Sequence, residues 1–427
     1  MLVLACCAAT ASASWLDNSR AMNATGRPAL TPPVYTLDLD KPASTRWNHI
    51  AKDYKSKMPA IIEYFESFIP KWLLPLIEAL AGQMTSYFVD YGDEMVAVAK
   101  ALDIPKGLVV LLNLVMQLEA IGVNCSNWNT TGPTHKDDPG CTAVDPTQKW
   151  CYCKEASKAG AYFPAGGMLQ VGRQPQTYDG PGLCTSVVAE RPDGAIVLGR
   201  NLDWNLPPPV RALLIDIDFV KGGKKIFRAT GAAGISGVIN GMSYSGAAGG
   251  REGNGWAASI DARGKGGKLL PNILQALKEQ SMTPTQHLRK VLEATADFEH
   301  AVGLLSETAQ IDENYFIVAG TRSGEGAVLA RGREKAVDVW RLNSNDKADP
   351  DGWFRLQTNY DHWSPAPTSD DRRSPGIAHM KAVGRDGLSE ATMSSVMQTW
   401  PTFNEHTDYS LVTTVTSFSY NSTIWMD

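Results

Sequence analysis

The stretch that decides the fold is Cys184-Thr-Ser-Val-Val-Ala-Glu190, followed by Arg191-Pro-Asp-Gly194 and Ala195-Ile-Val-Leu-Gly-Arg200. Two apolar segments rich in β-branched residues flank a turn sequence, and this pattern predicts a hairpin of two strands. A hairpin brings the end of its second strand beside the start of its first strand. We therefore expect Arg200, and Asp203 just beyond it, to lie close to Cys184.

The segment that follows this hairpin alternates blocks of strands with blocks of helices. A second hairpin is predicted around Lys221-Gly-Gly-Lys224, and helices are predicted over 269–279, 285–297 and 388–399. This grouping is typical of antiparallel sheets covered by helices. The glycine-rich run 231–255 lacks the strand–helix context of a nucleotide-binding loop, so we interpret it as loop and strand packing.

The chain before Cys184 divides into three parts. Residues 1–13 combine an apolar run with small residues and predict a signal peptide. Residues 14–120 are predicted to be mainly helical, with helices over 91–101 and 107–119. Residues 121–183 are rich in Asn, Gly, Pro and Cys and predict a long insertion or linker, tied by disulfides. Residues 184–427 then form the catalytic part.

Cysteines and glycosylation sequons indicate an oxidising compartment, so we expect a lysosomal or secreted protein. A cysteine cluster suits two disulfides with three alternative pairings, and its members are Cys125, Cys141, Cys151 and Cys153. Zinc binding by this cluster with His135 is disfavoured, because the spacing lacks paired C-x₂-C ligands. The sequons are at Asn23, Asn124, Asn129 and Asn421.

Composition limits the partners of the protein. The net charge of −5 argues against a nucleic-acid partner, because phosphate binding requires a basic face. No segment of the mature chain has the uninterrupted apolar length of a transmembrane helix. The apolar stretch 58–80, which contains Trp72, is either part of the core or a surface that contacts membranes or a lipid activator.

Cys184 is the thiol left over once the signal region and the cysteine cluster are set aside. A thiol beside a guanidinium has a lowered pKa and a larger thiolate fraction. A nearby carboxylate can hold a free α-amino group through a charge-assisted hydrogen bond. Arg200 and Asp203 therefore suit a cysteine that acts as a nucleophile.

C-T-S-V-V-A-E followed by G-R-N-L-D-W resembles the start of the mature β-subunit in the acid ceramidase and N-acylethanolamine acid amidase family. Those proteins are N-terminal-nucleophile cysteine amide hydrolases. Further motifs agree in order along the chain: Tyr35-Thr-Leu-Asp-Leu-Asp40 with Arg46-Trp47, Tyr315-Phe-Ile317, Ser323-Gly-Glu-Gly326, Gln357-Thr-Asn-Tyr-Asp361 with Trp363, and Asp370-Asp-Arg-Arg373.

The resemblance implies an α+β protein: an αββα sandwich preceded by a helical α-subunit. It implies autocleavage between Leu183 and Cys184, which gives an α/β heterodimer from one precursor, with the α-amine of Cys184 as base for its own thiol. It further implies Asn359 as oxyanion donor and Arg372 as an additional site residue. No cofactor or metal is implied.

The resemblance implies hydrolysis of a lipid amide, with ceramide as the leading substrate and an N-acylethanolamine as the alternative. The sequence departs from the family where a Glu linked to autocleavage is expected, because the matching stretch is Asp261-Ala-Arg263. Asp261 is a candidate replacement for that Glu. The loss would also suit an inactive, lipid-binding glycoprotein.

A second enzyme class remains open at this point. Cys184 and a histidine such as His362 could form a Cys–His protease, which would act without cleavage at Leu183.

Overall fold

The computed structural model describes most of the chain outside the predicted signal peptide and insertion. The described residues are 21–22, 26–59, 61–62, 75, 79, 82, 85, 91–114, 141–142, 152–153, 183–204, 206, 208–244, 254–264, 269–276, 278, 282–367, 370–404 and 406–426. The predictions for Trp72, for the sequons at Asn23, Asn124 and Asn129, and for Cys125 and Cys151 lie outside these residues.

The strands are numbered in chain order. They are β1 (Ala21–Met22), β2 (Pro28–Leu30), β3 (Val34–Asp38), β4 (Cys141–Thr142), β5 (Tyr152–Cys153), β6 (Leu183–Glu190), β7 (Ile196–Asp203), β8 (Leu214–Lys221), β9 (Lys224–Ala232), β10 (Asn240–Ser243), β11 (Ala257–Ala262), β12 (Asn314–Ala319), β13 (Gly326–Arg331), β14 (Ala336–Arg341), β15 (Phe354–Gln357), β16 (Thr407–Thr414) and β17 (Ser419–Trp425).

The helices follow the same numbering. They are α1 (Asn48–Tyr54), α2 (Gly92–Leu102), α3 (Lys106–Asn113), α4 (Pro208–Arg211), α5 (Leu269–Ala276), α6 (Pro284–Ala294), α7 (Phe298–Glu307), α8 (Arg373–Val383) and α9 (Glu390–Met397).

Two large sheets carry the fold. One has seven strands in the order β1-β2-β17-β16-β7-β6-β15, and the other has eight in the order β14-β13-β12-β11-β10-β9-β8-β3. Every adjacent pair is antiparallel except β3 and β8, which are parallel. The strands β4 and β5 form a separate two-stranded ladder, in which Cys141 and Cys153 are opposite each other.

The sheets pack face to face, and helices cover their outer faces. Apolar side chains from β6, β7, β12 and β13 fill the space between the sheets. Helices α8 and α9 pack on the outer face of the seven-stranded sheet. Helices α6 and α7 pack on the outer face of the eight-stranded sheet, in a core shared with α1, α2 and α3. The predicted αββα sandwich is confirmed.

The structure adds strands to residues 14–120, which the sequence predicts to be mainly helical. The strand β2 pairs with β17, and β3 pairs with β8, so this region also supplies edge strands to both sheets. Helix α6 ends earlier than predicted, because Thr295 is extended and Asp297 then caps the unpredicted helix α7. Helix α8 was also not predicted.

The hairpin around Arg191–Gly194 forms as the sequence predicts. The Arg191 amide donates to the Ala195 carbonyl over 2.9 Å, and Gly194 has a φ of 85°, a left-handed conformation that favours glycine. Cys184 lies opposite Leu202 in the ladder. Because side chains alternate along a strand, Cys184 projects into the layer between the two sheets.

Candidate active site

The Cys184 thiol lies between the sheets and against a buried guanidinium. Cys184 is only 2% exposed and Arg200 is fully buried. The Nη2 atom of Arg200 is 3.5 Å from Cys184 Sγ and donates to the Ile260 carbonyl over 2.8 Å. The hairpin therefore places Arg200 where the sequence predicted, with its charge directed at the sulfur.

The backbone nitrogen of Cys184 also has a side-chain partner. Its N–H donates to Asn359 Oδ1 over 2.8 Å. Arg372 Nη2 donates to the same oxygen over 2.8 Å, while Asn359 Nδ2 donates to the Ala262 carbonyl over 2.8 Å. These contacts fix the orientation of the Asn359 amide, so that in the intact chain its oxygen faces the nitrogen that cleavage would release.

Arg372 connects Asp203 to Cys184. Its Nη1 atom donates to the Cys184 carbonyl over 2.5 Å and lies 3.7 Å from Asp203 Oδ2. Its guanidinium is held on the other side by Asp370, with an Nε–Oδ1 distance of 2.6 Å. Thr407 Oγ1 donates to Asp203 Oδ1 over 2.6 Å. The sequence predicted that Asp203 lies near Cys184, and the structure adds Arg372 as the link between them.

Asp261 belongs to the same cluster. It is fully buried on β11, and Ser186 Oγ donates to its Oδ1 atom over 2.9 Å. Arg200 Nε lies 3.5 Å from the same oxygen. A carboxyl group is therefore present beside the Arg200–Cys184 contact, one residue before the position at which the family resemblance implies a Glu.

Burial controls the protonation of this cluster. It raises the pKa of the Cys184 thiol to about 12, an effect that Arg200 opposes. Burial also raises the pKa of Asp203 to about 7, although Arg372 opposes this shift. The pKa of Asp261 rises to about 6 for the same reason, against the opposing effect of Arg200. The thiol of the intact chain is therefore neutral at acidic and neutral pH, and attack requires a base close to the sulfur.

Histidine does not supply that base among the residues that the structure describes. The His362 ring stacks on Trp340 with a centroid distance of 4.1 Å, and its Nε2 atom lies 3.8 Å from Asp338. Burial lowers the pKa of His362. Cys184 hydrogen-bonds to Asn359, Arg200 and Arg372, so the geometry gives no support to the Cys–His protease.

Comparison with known proteins assigns the chain to a family. A family model described as the beta subunit of N-acylethanolamine-hydrolyzing acid amidase matches residues 31–88. The solved Caenorhabditis elegans N-acylethanolamine-hydrolyzing acid amidase ortholog is 31% identical, with 57% of this chain and all of that chain covered and a TM-score of 0.49. The chain belongs to the acid ceramidase and N-acylethanolamine acid amidase family of amide hydrolases.

Longer alignments to members of this family span both halves of the chain. The N-acylethanolamine-hydrolyzing acid amidase of Rattus norvegicus is 28% identical over 385 residues, which are 90% of this chain and 85% of the relative. The acid ceramidase of Homo sapiens is 25% identical over 413 residues, covering 91% of this chain and 85% of the relative.

Four residues beside Cys184 belong to the sequence motifs, although the sequence predicts no role for them. Tyr315, Arg263 and Asp361 form a hydrogen-bonded group next to Asn359. Ser186 contacts Asp261. Their positions in quoted motifs were the available signal, but their contacts depend on strands that are distant in sequence.

The remaining predictions concern glycosylation, disulfides, metal sites and membrane-spanning helices. Asn421 is exposed on β17, as a glycosylated residue must be. The disulfide pairing stays a prediction. Within the described ranges, no cluster of His, Cys, Asp and Glu could hold a metal ion. No helix in that part of the chain is long and apolar enough to span a bilayer.

Proposed function

We propose that this protein hydrolyses lipid amides with Cys184 as an N-terminal nucleophile, after cleavage of the Leu183–Cys184 bond. The observation that carries the proposal is that both reactive atoms of Cys184 have dedicated partners. Its nitrogen faces Asn359 Oδ1 at 2.8 Å, and its sulfur faces Arg200 Nη2 at 3.5 Å. A cysteine that used only its sulfur would not need the first contact.

Cleavage converts the Cys184 amide nitrogen into an amine that can accept the thiol proton. Arg200 then stabilises the thiolate, since its pKa is raised and it stays charged. The thiolate attacks the substrate carbonyl and gives an oxyanion. We assign the oxyanion to two donors. One is Asn359 Nδ2, which has a second N–H besides the one that donates to the Ala262 carbonyl, and the other is the Ala262 N–H, which lowers the pKa of the thiol.

The tetrahedral intermediate then collapses to a thioester and expels the amine, which takes the proton from the ammonium of Cys184. Water attacks the thioester, the α-amine accepts a proton from that water, and the fatty acid leaves as the thiol is restored. Arg372 and Asp203 hold the backbone of Cys184 in place during both steps.

The substrate that we propose first is an N-acylethanolamine. Over about 90% of this chain, the relative with that name from Rattus norvegicus is 28% identical, whereas the acid ceramidase of Homo sapiens is 25% identical over 91%. Ceramide, the leading substrate that the family resemblance implies, is the second candidate because the acid ceramidase alignment covers 91% of this chain.

A release assay with matched acyl chains tests both substrates. Processed enzyme should release palmitate from N-palmitoylethanolamine faster than from a ceramide with the same acyl chain, in mixed detergent micelles. The reverse ratio would restore ceramide as the leading substrate. Release from neither substrate by fully processed protein would contradict the proposed function.

The proposed compartment is lysosomal, and buried carboxyl groups predict a matching dependence of stability on pH. Burial raises the pKa of four aspartates above the usual value of 3.8: Asp203 to about 7, and Asp216, Asp261 and Asp408 to about 6. Their stabilising contribution is fully present below pH 3.8 and is lost as the pH rises through 6 to 7.

We therefore expect the melting temperature to be higher at pH 5 than at pH 7.5, by about 3 °C or more. Asp216→Asn should reduce this difference, because it removes one of the four titrating groups. Glu334→Gln is the control, since the pKa of Glu334 is lowered, mainly by its hydrogen bond with Lys278. Scanning calorimetry at both pH values checks this, and a higher melting temperature at pH 7.5 would contradict it.

A further inference from the structure

Three side chains beside the nucleophile form a hydrogen-bonded group that the mechanism above does not use. Arg263 Nε lies 2.7 Å from Asp361 Oδ1, and Arg263 Nη2 lies 3.0 Å from Asp361 Oδ2. Tyr315 OH donates to Asp361 Oδ1 over 2.7 Å. We call Arg263, Asp361 and Tyr315 the clamp. A bidentate arginine–carboxylate pair fixes both distance and orientation.

The clamp joins two segments that each touch Cys184. Arg263 directly follows Ala262, whose backbone N–H lowers the pKa of the Cys184 thiol. Asp361 is two residues beyond Asn359, whose Oδ1 accepts from the Cys184 nitrogen. Two further bonds run between the segments, from Asn359 Nδ2 to the Ala262 carbonyl over 2.8 Å and from the Gly264 N–H to the Asn359 carbonyl over 3.1 Å.

We propose that the clamp is a positioning device for the nucleophile, which holds the Ala262 backbone and the Asn359 amide against Cys184. Both segments leave the ends of strands, Ala262 at the end of β11 and Asn359 just after β15, and these strands belong to different sheets. No strand pairing therefore sets the distance between Ala262 and Asn359. Tyr315 anchors the clamp because it is a fully buried residue of β12, the neighbour of β11.

The Asp361 carboxylate of the clamp keeps its negative charge at acidic pH. The pKa of Asp361 is lowered: burial raises it, but the hydrogen bonds from Arg263 and Tyr315 more than offset this. The pKa of Asp203 and of Asp261 is raised to about 7 and about 6, so these two lose their charge as the pH falls. The clamp consequently keeps its geometry under the acidic conditions in which neighbouring carboxylates are neutralised.

The inference rests on the proposed function, and Asp361→Asn in the processed enzyme tests it. A displacement of about 1 Å in catalytic groups can cost about 100-fold in rate. We expect kcat to fall at least about tenfold while KM changes less than about twofold. Alkylation of Cys184 by iodoacetamide should slow by a similar factor at the same pH, because the thiolate loses the Ala262 N–H. Asp361→Glu should recover part of both rates.

Asp218→Asn is the matched control. Asp218 makes a bidentate pair with Arg228 at 2.7 Å and 2.9 Å, in the same sheet but on β8, three strands away from β11. If Asp361→Asn slows kcat and alkylation no more than Asp218→Asn does, the clamp is only structural and the inference is wrong.

A second variant and a readout that does not depend on catalysis keep the outcome unambiguous. If Asp361→Asn does not fold, Tyr315→Phe removes a single bond of the clamp and should still slow alkylation by about threefold or more; an unchanged alkylation rate in that variant would overturn the inference. If the wild type releases no fatty acid, the proposed function fails, but the alkylation comparison still decides the role of the clamp.

Discussion

Cys184→Ala should abolish both cleavage at Leu183–Cys184 and release of fatty acid, with a loss of at least about 10³-fold in kcat/KM. The alanine side chain removes the sulfur that faces Arg200 at 3.5 Å, and no other described cysteine lies free in this core. Because the same sulfur would attack in both reactions, both should stop together. Gel analysis of the purified chain and a fatty-acid release assay measure the two effects.

Val188→Ala is the control for this experiment. Val188 is fully buried on the same strand and faces the same layer between the sheets. Its truncation removes more apolar volume than Cys184→Ala does, so it should lower stability by about 1 kcal/mol or more while the chain still cleaves. A Cys184→Ala chain that is cut normally, or that turns over lipid amide at the rate of Val188→Ala, would show that another nucleophile does the chemistry.

Glu94→Gln should destabilise the protein by about 3 kcal/mol, because it removes the buried carboxylate that faces Arg289. The buried guanidinium then keeps only Glu293 as a charge partner, at 2.8 Å and with a partly exposed carboxylate. Arg289 is fully buried, and its Nη1 and Nη2 atoms lie 2.6 Å and 2.8 Å from Glu94. Glu94 also accepts from Trp47 Nε1 over 2.7 Å and from Arg46 over 3.0 Å. The Arg289 guanidinium lies over the Tyr91 ring at 4.3 Å.

If the chain is cleaved as proposed, the loss of the Glu94–Arg289 pair should also weaken the association of the two fragments. Glu94 would then belong to the first fragment and Arg289 to the second, so the ion pair would cross the interface between the two. We expect processed Glu94→Gln protein to separate into its fragments in denaturant concentrations that leave the wild type intact. Urea titration followed by size-exclusion chromatography measures both the free energy of unfolding and the separation.

Glu334→Gln provides the comparison for this effect. Glu334 pairs with Lys278 at 2.7 Å, but the two side chains are 66% and 57% exposed, so its loss should cost less than about 1 kcal/mol. The double variant Glu94→Gln/Arg289→Met should recover part of the lost stability, because it removes the buried charge that has lost its buried partner. Equal losses for Glu94→Gln and Glu334→Gln would contradict the importance of the buried pair.

Local sequence signals were sufficient to predict the hairpin of β6 and β7 that carries Cys184. The turn residues of Arg191–Gly194 and the β-branched segments on either side fix the register that pairs Cys184 with Leu202. That register alone brings Arg200 to the sulfur. Asn359 and Arg372 are 175 and 188 residues from Cys184 in the chain, and only the family resemblance indicated them.

Other features could not be predicted because they depend on tertiary contacts. The strand β3 is short, partly exposed and parallel to β8, so its sequence does not distinguish it from a loop before α1. The link from Asp203 to Cys184 through Arg372 required the position of α8, which was not predicted. The clamp likewise requires the ends of two strands from different sheets to meet.

N-terminal sequencing of the mature protein shows whether the Leu183–Cys184 bond is cut. We expect a fragment that begins Cys-Thr-Ser-Val-Val, with Cys184 as its first residue, in every preparation that releases fatty acid. A fully active chain that is uncut, or that is cut only at another position and so keeps the Cys184 nitrogen in a peptide bond, would contradict it.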